Sequence, residues 1–306
     1  LGGFWVGSVF VAVATSLPEL VTDVAAMRIG AADVAVGDLF GSNMANMLIL
    51  AIVSLVPGSD LFRAVAIDNA LPASLAITLT AAAALFALAR PETMLLGVEL
   101  APLVLTLGYL VGVRAVFRHS VLARVATTVE ETAPAGDAAV SPGEPVASGR
   151  AAVRGFIAAA ALIVLAAPLF AHFAKALAAE TGLATSFVGT LLVALTTSLP
   201  ELVTALAALR LRAYDLVVGN LFGSNAFNMS LFLALALARP SEPLFASVGT
   251  VHVLSALAST VLMAIGVATI IYRARRETAA LEPASVLMIV IYVAAIALVY
   301  GHGGNG

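Results

Sequence analysis

The chain has 306 residues, 61% of them hydrophobic and 11% charged, with a mean hydropathy of +1.07 and a formal net charge of −3. A soluble domain carries about 25% charged residues, so this composition excludes an ordinary soluble enzyme, a disordered chain and a nucleic-acid binder. Cysteine is absent, which also excludes disulfides, thiolate metal sites and cysteine nucleophiles; an all-α polytopic membrane protein remains.

A membrane-spanning helix needs about 20 mostly apolar residues. In chain order, the apolar stretches predict spans over 4–27, 33–56, 64–89, 93–117, 151–172, 183–208, 214–238, 246–272 and 283–301. The long polar interval, 119–150, holds Glu130, Glu131, Asp137 and Glu144 with Pro134, Pro142 and Pro145. That composition reads as a flexible, solvated linker. It divides the chain into a first membrane repeat, 1–118, and a second, 151–306. Alternate loops separate the basic residues into two sets. Arg63, Arg114, Arg118, Arg124, Arg150, Arg154, Arg210, Arg212, Arg273, Arg275 and Arg276 fall in one; Arg28, Arg90, Lys175 and Arg239 fall in the other. The positive-inside rule then puts the linker in the cytoplasm and the C-terminus outside.

Residues 7–50 and 189–232 align without a gap, and 25 of the 44 positions are identical. Thr15-Ser16-Leu17-Pro18-Glu19 matches Thr197-Ser198-Leu199-Pro200-Glu201. Gly37-Asp38-Leu39-Phe40-Gly41-Ser42-Asn43 matches Gly219-Asn220-Leu221-Phe222-Gly223-Ser224-Asn225, and Asn46 matches Asn228. The identities concentrate on polar residues and proline, where compositional likeness between apolar helices would not place them. An odd number of predicted spans separates the copies, so they face opposite sides of the membrane, the inverted plan of many secondary transporters. The second motif helix is preceded by the span at 151–172. Its counterpart would lie ahead of residue 1, so the sequence predicts two five-helix repeats with the first helix missing and nine present.

Glu19 and Glu201 lie inside apolar spans, where a carboxylate costs at least about 2.5–3.5 kcal/mol. No Lys or Arg within those spans offers a structural partner. Pro18 and Pro200 interrupt the helix just before each acid and free carbonyls near 14–15 and 196–197, and bare carbonyls persist at membrane depth only where they line a cavity or meet a ligand. Ser16 lies three residues before Glu19, on one helix face. Ser42 and Asn46 are four apart on the next helix, and the second copy repeats the pattern. For Ser42, Asn43, Ser224 and Asn225, helix packing and ligation read equally well. The available donors are hard oxygens, as Ca²⁺ requires. Two carboxylates neutralise one Ca²⁺, two Na⁺ or two H⁺. The empty site would carry two charges that a low-dielectric interior opposes moving, which turns competition between cations into exchange. Asp38 is a candidate accessory proton or cation site, with a position near water at the helix end favoured. Asp23, Asp33, Asp68, Glu99 and Asp215 fall near span ends and read as solvated or capping. His119, His172, His252 and His302 are scattered, and Trp5 and the tyrosines suit interfacial anchoring.

These paired motifs resemble the α-repeats of the cation/Ca²⁺ exchanger superfamily, above all its prokaryotic sodium/calcium exchanger-type antiporters. The resemblance implies ten helices in two inverted halves and alternating access by sliding of the first two. It also implies Glu19 and Glu201 as central cation ligands, joined by Asn46 and Asn228, the hydroxyls of Ser16, Ser42, Ser198 and Ser224, and backbone carbonyls at Thr15 and Thr197. Asn228 stands where sodium-type members often carry an acid, and Asp38 replaces a usual Asn. The expected function is exchange of Ca²⁺ for Na⁺, with H⁺ or another cation pair as the alternative. No cofactor, nucleic acid or protein partner is implied beyond inorganic cations and the bilayer. Three other readings stand further off: a passive cation channel, an inactive truncated remnant, and an intramembrane aspartyl protease built on Asp38 and Asp215.

Overall fold

The computed structural model describes residues 11–95, 97–130, 149–240, 243–272 and 282–303. Residues 11–15 are helical and lead through a break at Ser16 into α1 (Leu17–Arg28). The longer elements that follow are α2 (Ala32–Ser54), α3 (Ala70–Ala89), α4 (Leu100–Glu130), α5 (Gly149–Thr181), α6 (Thr185–Thr197), α7 (Leu199–Arg210), α8 (Tyr214–Ala238), α9 (Thr250–Tyr272) and α10 (Pro283–Gly303). Met94–Leu95 and Val98–Glu99 form a two-residue hairpin ahead of α4.

Seven of these helices are long and apolar enough to cross a membrane, and the bent pair of α6 and α7 supplies an eighth candidate span. They agree with the predicted spans from 33–56 onward. The start of the first predicted span, with Trp5, lies outside the described residues, as do 131–148 of the linker and Arg273, Arg275 and Arg276. The helix of α4 runs on to Glu130, beyond the predicted start of the linker at 119.

Apolar helices gain nothing from the hydrophobic effect by leaving lipid for one another, so association relies on close packing and interhelical hydrogen bonds. The burial pattern follows. α2 is 89% buried over its apolar window and α8 67%, whereas the window in α5 is 17% buried. α5 presents Leu162, Leu165 and Phe173 outward, and these side chains face lipid. α2 is held tight by small residues. A Cβ on Gly41 would stand 2.7 Å from Thr190 Cα, and one on Gly189 would stand 3.0 Å from Val34 Cα. Both contacts lie where α6 takes a π-helical turn over Val188–Val193. Phe40 of α2 packs on Phe232 of α8 at 5.3 Å between ring centroids.

The internal repeat is visible in the fold. α1 and α7 have the same length and each carries Pro in its first turn; Ser16 and Ser198 take nearly the same backbone angles at the break. Gly30 and Arg212, equivalent in the alignment, both adopt positive φ in the turn before the next helix. That conformation is easy for glycine and uncommon for arginine. Asp33 and Asp215, also equivalent, each reach the start of a later helix. Asp215 Oδ1 accepts from Ala66 N at 2.7 Å and Asn69 Nδ2 at 2.8 Å just ahead of α3, and Asp33 Oδ1 lies 2.9 Å from His252 Nε2 at the start of α9. The capping role expected of Asp215 is met.

Candidate functional site

The break at Ser16 and Ser198 follows from Leu-Pro-Glu. Proline provides no N–H to the turn before it and its ring clashes with the carbonyl four residues back, so each motif helix ends and restarts, with a 41° bend between α6 and α7. The restart places Glu19 and Glu201 in the first turn of α1 and α7. Both side chains are completely buried.

The repeats then exchange partners. Ser198 Oγ donates to Glu19 Oε1 at 3.5 Å, and Ser16 Oγ donates to Glu201 Oε1 at 3.4 Å. Ser224 Oγ adds a bond to Glu201 Oε1 at 3.2 Å. Ser16 and Glu19 were expected on one helix face; the hydroxyl of each serine reaches the carboxylate of the opposite repeat, because Ser16 and Ser198 are the break residues and project across the interface. Thr197 Oγ1 donates to Asp38 Oδ1 at 2.9 Å and lies 3.3 Å from Ser42 Oγ. In the other copy Thr15 Oγ1 donates to Asn220 Oδ1 and lies near Ser224 Oγ, both at 3.4 Å.

The asparagines form the seam between α2 and α8. Asn43 Nδ2 donates to the Asn225 carbonyl at 3.3 Å, and Asn225 Nδ2 returns to the Asn43 carbonyl at 3.2 Å. Asn46 Nδ2 donates to Asn225 Oδ1 at 2.8 Å, and Asn228 Nδ2 to Asn43 Oδ1 at 3.1 Å. Asn43 and Asn225 therefore serve packing, while Asn46 and Asn228 each keep an Oδ1 without a donor. Glu19 Oε2 and Glu201 Oε2 are likewise buried and unpartnered. Replacing Asn225 by Ala strands Asn46 Nδ2 and removes the cross-helix bond to the Asn43 carbonyl. Interhelical bonds of this kind contribute about 0.6–2 kcal/mol each in membranes, so thermal unfolding in detergent should show a loss of about 1–3 kcal/mol. The double variant with Asn43→Ala should lose less than the sum, since both act through the same seam.

Every expected ligand position is buried: Glu19, Glu201, Asn46, Asn228, Ser16, Ser42, Ser198, Ser224, Thr15 and Thr197. Among the described residues no three acidic or histidine side chains meet in a metal-holding group, so an ion here would be held by paired carboxylates and neutral oxygens. Two expectations need correction. Asp38 does not lie near water; it is fully buried and faces Thr197 and Ser42. Asp23 is not a solvated span-end residue but is fully buried. Its four-residue spacing from Glu19, one turn along the same face, was the overlooked signal. Glu99 caps as expected, accepting from Leu244 N at 2.6 Å and Phe245 N at 3.1 Å.

The family model described as sodium/calcium exchanger protein matches residues 1–117 and 151–301. The chain belongs to the sodium/calcium exchanger family. It is 31% identical over 247 residues to the inner membrane protein YrbG of Escherichia coli, covering 78% of this chain and 70% of that one. Its identity to the putative antiporter CaxA of Alkalimonas amylolytica is 27% over 233 residues, 75% and 68% of the two chains. The fold matches native YfkE with a TM-score of 0.64 at 19% identity, over 98% of this chain and 87% of that one. It also matches the sodium–calcium exchanger NCX_Mj with a TM-score of 0.58 at 21% identity, over 96% and 86%. This exchanger is therefore an integral membrane protein with an antiporter fold, in a family that transports inorganic cations and is not one of enzymes. The aspartyl-protease reading falls with that result. Asp38 and Asp215 also have separate surroundings, the first among hydroxyls inside the bundle and the second on the turn ahead of α3.

Proposed function

We propose that this exchanger moves Ca²⁺ against Na⁺ by alternating access at the Glu19–Glu201 centre, in a bacterial inner membrane with the 119–150 linker cytoplasmic and the C-terminus outside. The observation that carries the reading is the pair of fully buried carboxylates, one from each repeat, each hydrogen-bonded to a serine of the other and each with a free oxygen. Two bare carboxylates in a low-dielectric bundle hold the empty site still, because moving uncompensated charge through that interior is costly. One Ca²⁺ or two Na⁺ would neutralise them. Only the loaded site changes sides readily, and that condition enforces exchange over leak. Asn46 and Asn228 Oδ1, the hydroxyls of Ser16, Ser42, Ser198 and Ser224, and the backbone at Thr15 and Thr197 fill the oxygen shell of about 6–8 that Ca²⁺ takes. The linker, the inner-membrane placement and the orientation rest on the basic-residue asymmetry and the likeness to an inner membrane protein.

A second reading, exchange of Ca²⁺ for H⁺, is favoured by one residue, Asn228. An amide there leaves the centre one negative charge short of an acid-bearing sodium-type site, and one less charge calls for fewer monovalent counter-ions.

The test is Ca²⁺ uptake into proteoliposomes carrying the full chain, under an imposed Na⁺ gradient and separately under a pH gradient. Uptake driven by Na⁺ supports the main reading. Uptake driven by pH alone replaces it with proton coupling. No uptake under either gradient overturns the calcium assignment.

A further inference from the structure

Asp33 and Asp215 occupy equivalent positions in the repeats, one in the first turn of α2 and the other in the first turn of α8. Each reaches across to the other repeat. Asp33 Oδ1 lies 2.9 Å from Nε2 of His252, whose side chain is fully buried; an ionised carboxylate can only accept, so His252 Nε2 carries the proton. Asp215 Oδ1 accepts from Ala66 N at 2.7 Å and from Asn69 Nδ2 at 2.8 Å. Adding one residue to the second repeat sets Leu61-Phe62 on Leu244-Phe245, each opening a short helix, and Asn69 on His252. The acids and their donors are both duplicated, so this is one contact built twice. The two copies lie at opposite ends of the bundle. Asp33 opens α2, whereas Asn69 follows its far end, and the 23 residues of α2 span about 35 Å.

Each acid stands just past a tight turn. Gly30 N bonds the Met27 carbonyl at 3.1 Å and Ala31 N the Ala26 carbonyl at 2.8 Å; Arg212 N bonds the Leu209 carbonyl and Ala213 N the Ala208 carbonyl, both at 2.9 Å. These bonds make α1 and α2 one stiff hairpin, and α7 and α8 another. The helices that carry Glu19 and Glu201 cannot swing outward at their turn ends without drawing Asp33 from α9 or Asp215 from the segment ahead of α3. Apolar helices in lipid have no hydrophobic effect to hold them together, and a buried donor left without its acceptor is costly, so such polar contacts weigh on whether a face is open. We propose that Asp33–His252 and Asp215–Asn69 are paired gate contacts, one at each membrane face. Asp33 and Asp215 are then positioning residues, and loss of either frees the face on which it stands. This rests on the alternating access proposed above.

The chain has no cysteine, so Asn46→Cys gives a lone thiol at the centre. Its labelling by a membrane-impermeant thiol reagent is measured in sealed vesicles of each orientation, in the full chain with and without changes at the two acids. Opposite shifts are expected. Asp33→Ala should raise the ratio of labelling from its own face to labelling from the other by about three- to tenfold, the worth of one such hydrogen bond. Asp215→Ala should lower that ratio by a similar factor. Asp33→Asn and Asp215→Asn keep an accepting oxygen and should return the wild-type ratio, which a general loss of structure would not do. Where an alanine variant fails to fold, His252→Leu or Asn69→Leu removes the donor instead. Shifts in the same sense, or none, with the wild type labelled from both faces, overturn the gate contacts and leave alternating access standing. Labelling from one face alone in the wild type and every variant overturns both. The measurement uses no transported ion, so its outcome is independent of the calcium assignment.

Discussion

Glu19→Gln and Glu201→Gln should each abolish cation exchange while leaving a folded protein. The substitution preserves shape, and the amide oxygen still accepts the serine hydroxyl from the opposite repeat, so the contacts of 3.4–3.5 Å at the break survive. What disappears is one full charge. At about 4 Å and an effective dielectric near 20, a unit charge pair is worth about 4 kcal/mol, a factor of about a thousand in affinity, and a divalent ion feels more. Stability should move the other way. Removing an uncompensated buried charge relieves its desolvation, so the Tm in ion-free detergent should hold or rise. The rise in Tm that a bound ion gives the wild type should vanish. Ca²⁺ flux above a tenth of wild type in both variants would sink the assignment of these acids as the central ligands.

Gly41→Ala and Gly189→Ala should cost more stability than any polar change in the site. Overpacking usually costs about 1–3 kcal/mol, because neighbouring side chains turn aside. Here the new methyl meets backbone on the facing helix, Thr190 in one case and Val34 in the other, and backbone cannot rotate away. The helices α2 and α6 must separate, and with them Asp38, Thr197 and the hydroxyls next to Glu19. The expected loss is at least about 3 kcal/mol, the upper end of that range, read as a lower Tm and a smaller monodisperse fraction on size exclusion. Gly155→Ala is the control. Among the described residues nothing lies within 4 Å of a Cβ there, and alanine is the better helix former by about 1 kcal/mol. Equal behaviour of Gly41→Ala and Gly155→Ala would show that the α2–α6 contact tolerates separation.

Much of this protein was legible in one dimension. Span positions follow from runs of apolar residues, because a helix in lipid needs a minimum length and little else. The repeat is plain from identity, and Glu19 and Glu201 stand out because a carboxylate at membrane depth is costly without a purpose. The paired motifs point to the exchanger family, which the family match established. Other features depended on which helix faces which. In spans that are apolar on every side, periodicity identifies neighbours on one helix but gives no direction toward a partner. Hence the spacing that sets Ser16 and Glu19 on one helix face does not show that the Ser16 hydroxyl serves Glu201, and the expected position of Asp38 near water gives way to cover by Thr197 of the other repeat. Asp23 looked like a span-end residue because distance along the chain was taken for depth, and the close approach of α1 to α2 buries it. Asn43 and Asn225 resolve as packing residues only because their amides meet each other's backbone across the seam. The sequence by itself determined the spans, the duplication and the central acids, each a property of residues along one chain segment. Tertiary structure alone decided the exchange of hydroxyls between repeats, because it depends on the separation and rotation of helices far apart in sequence, and the burial of Asp23, which the packing of α1 on α2 sets.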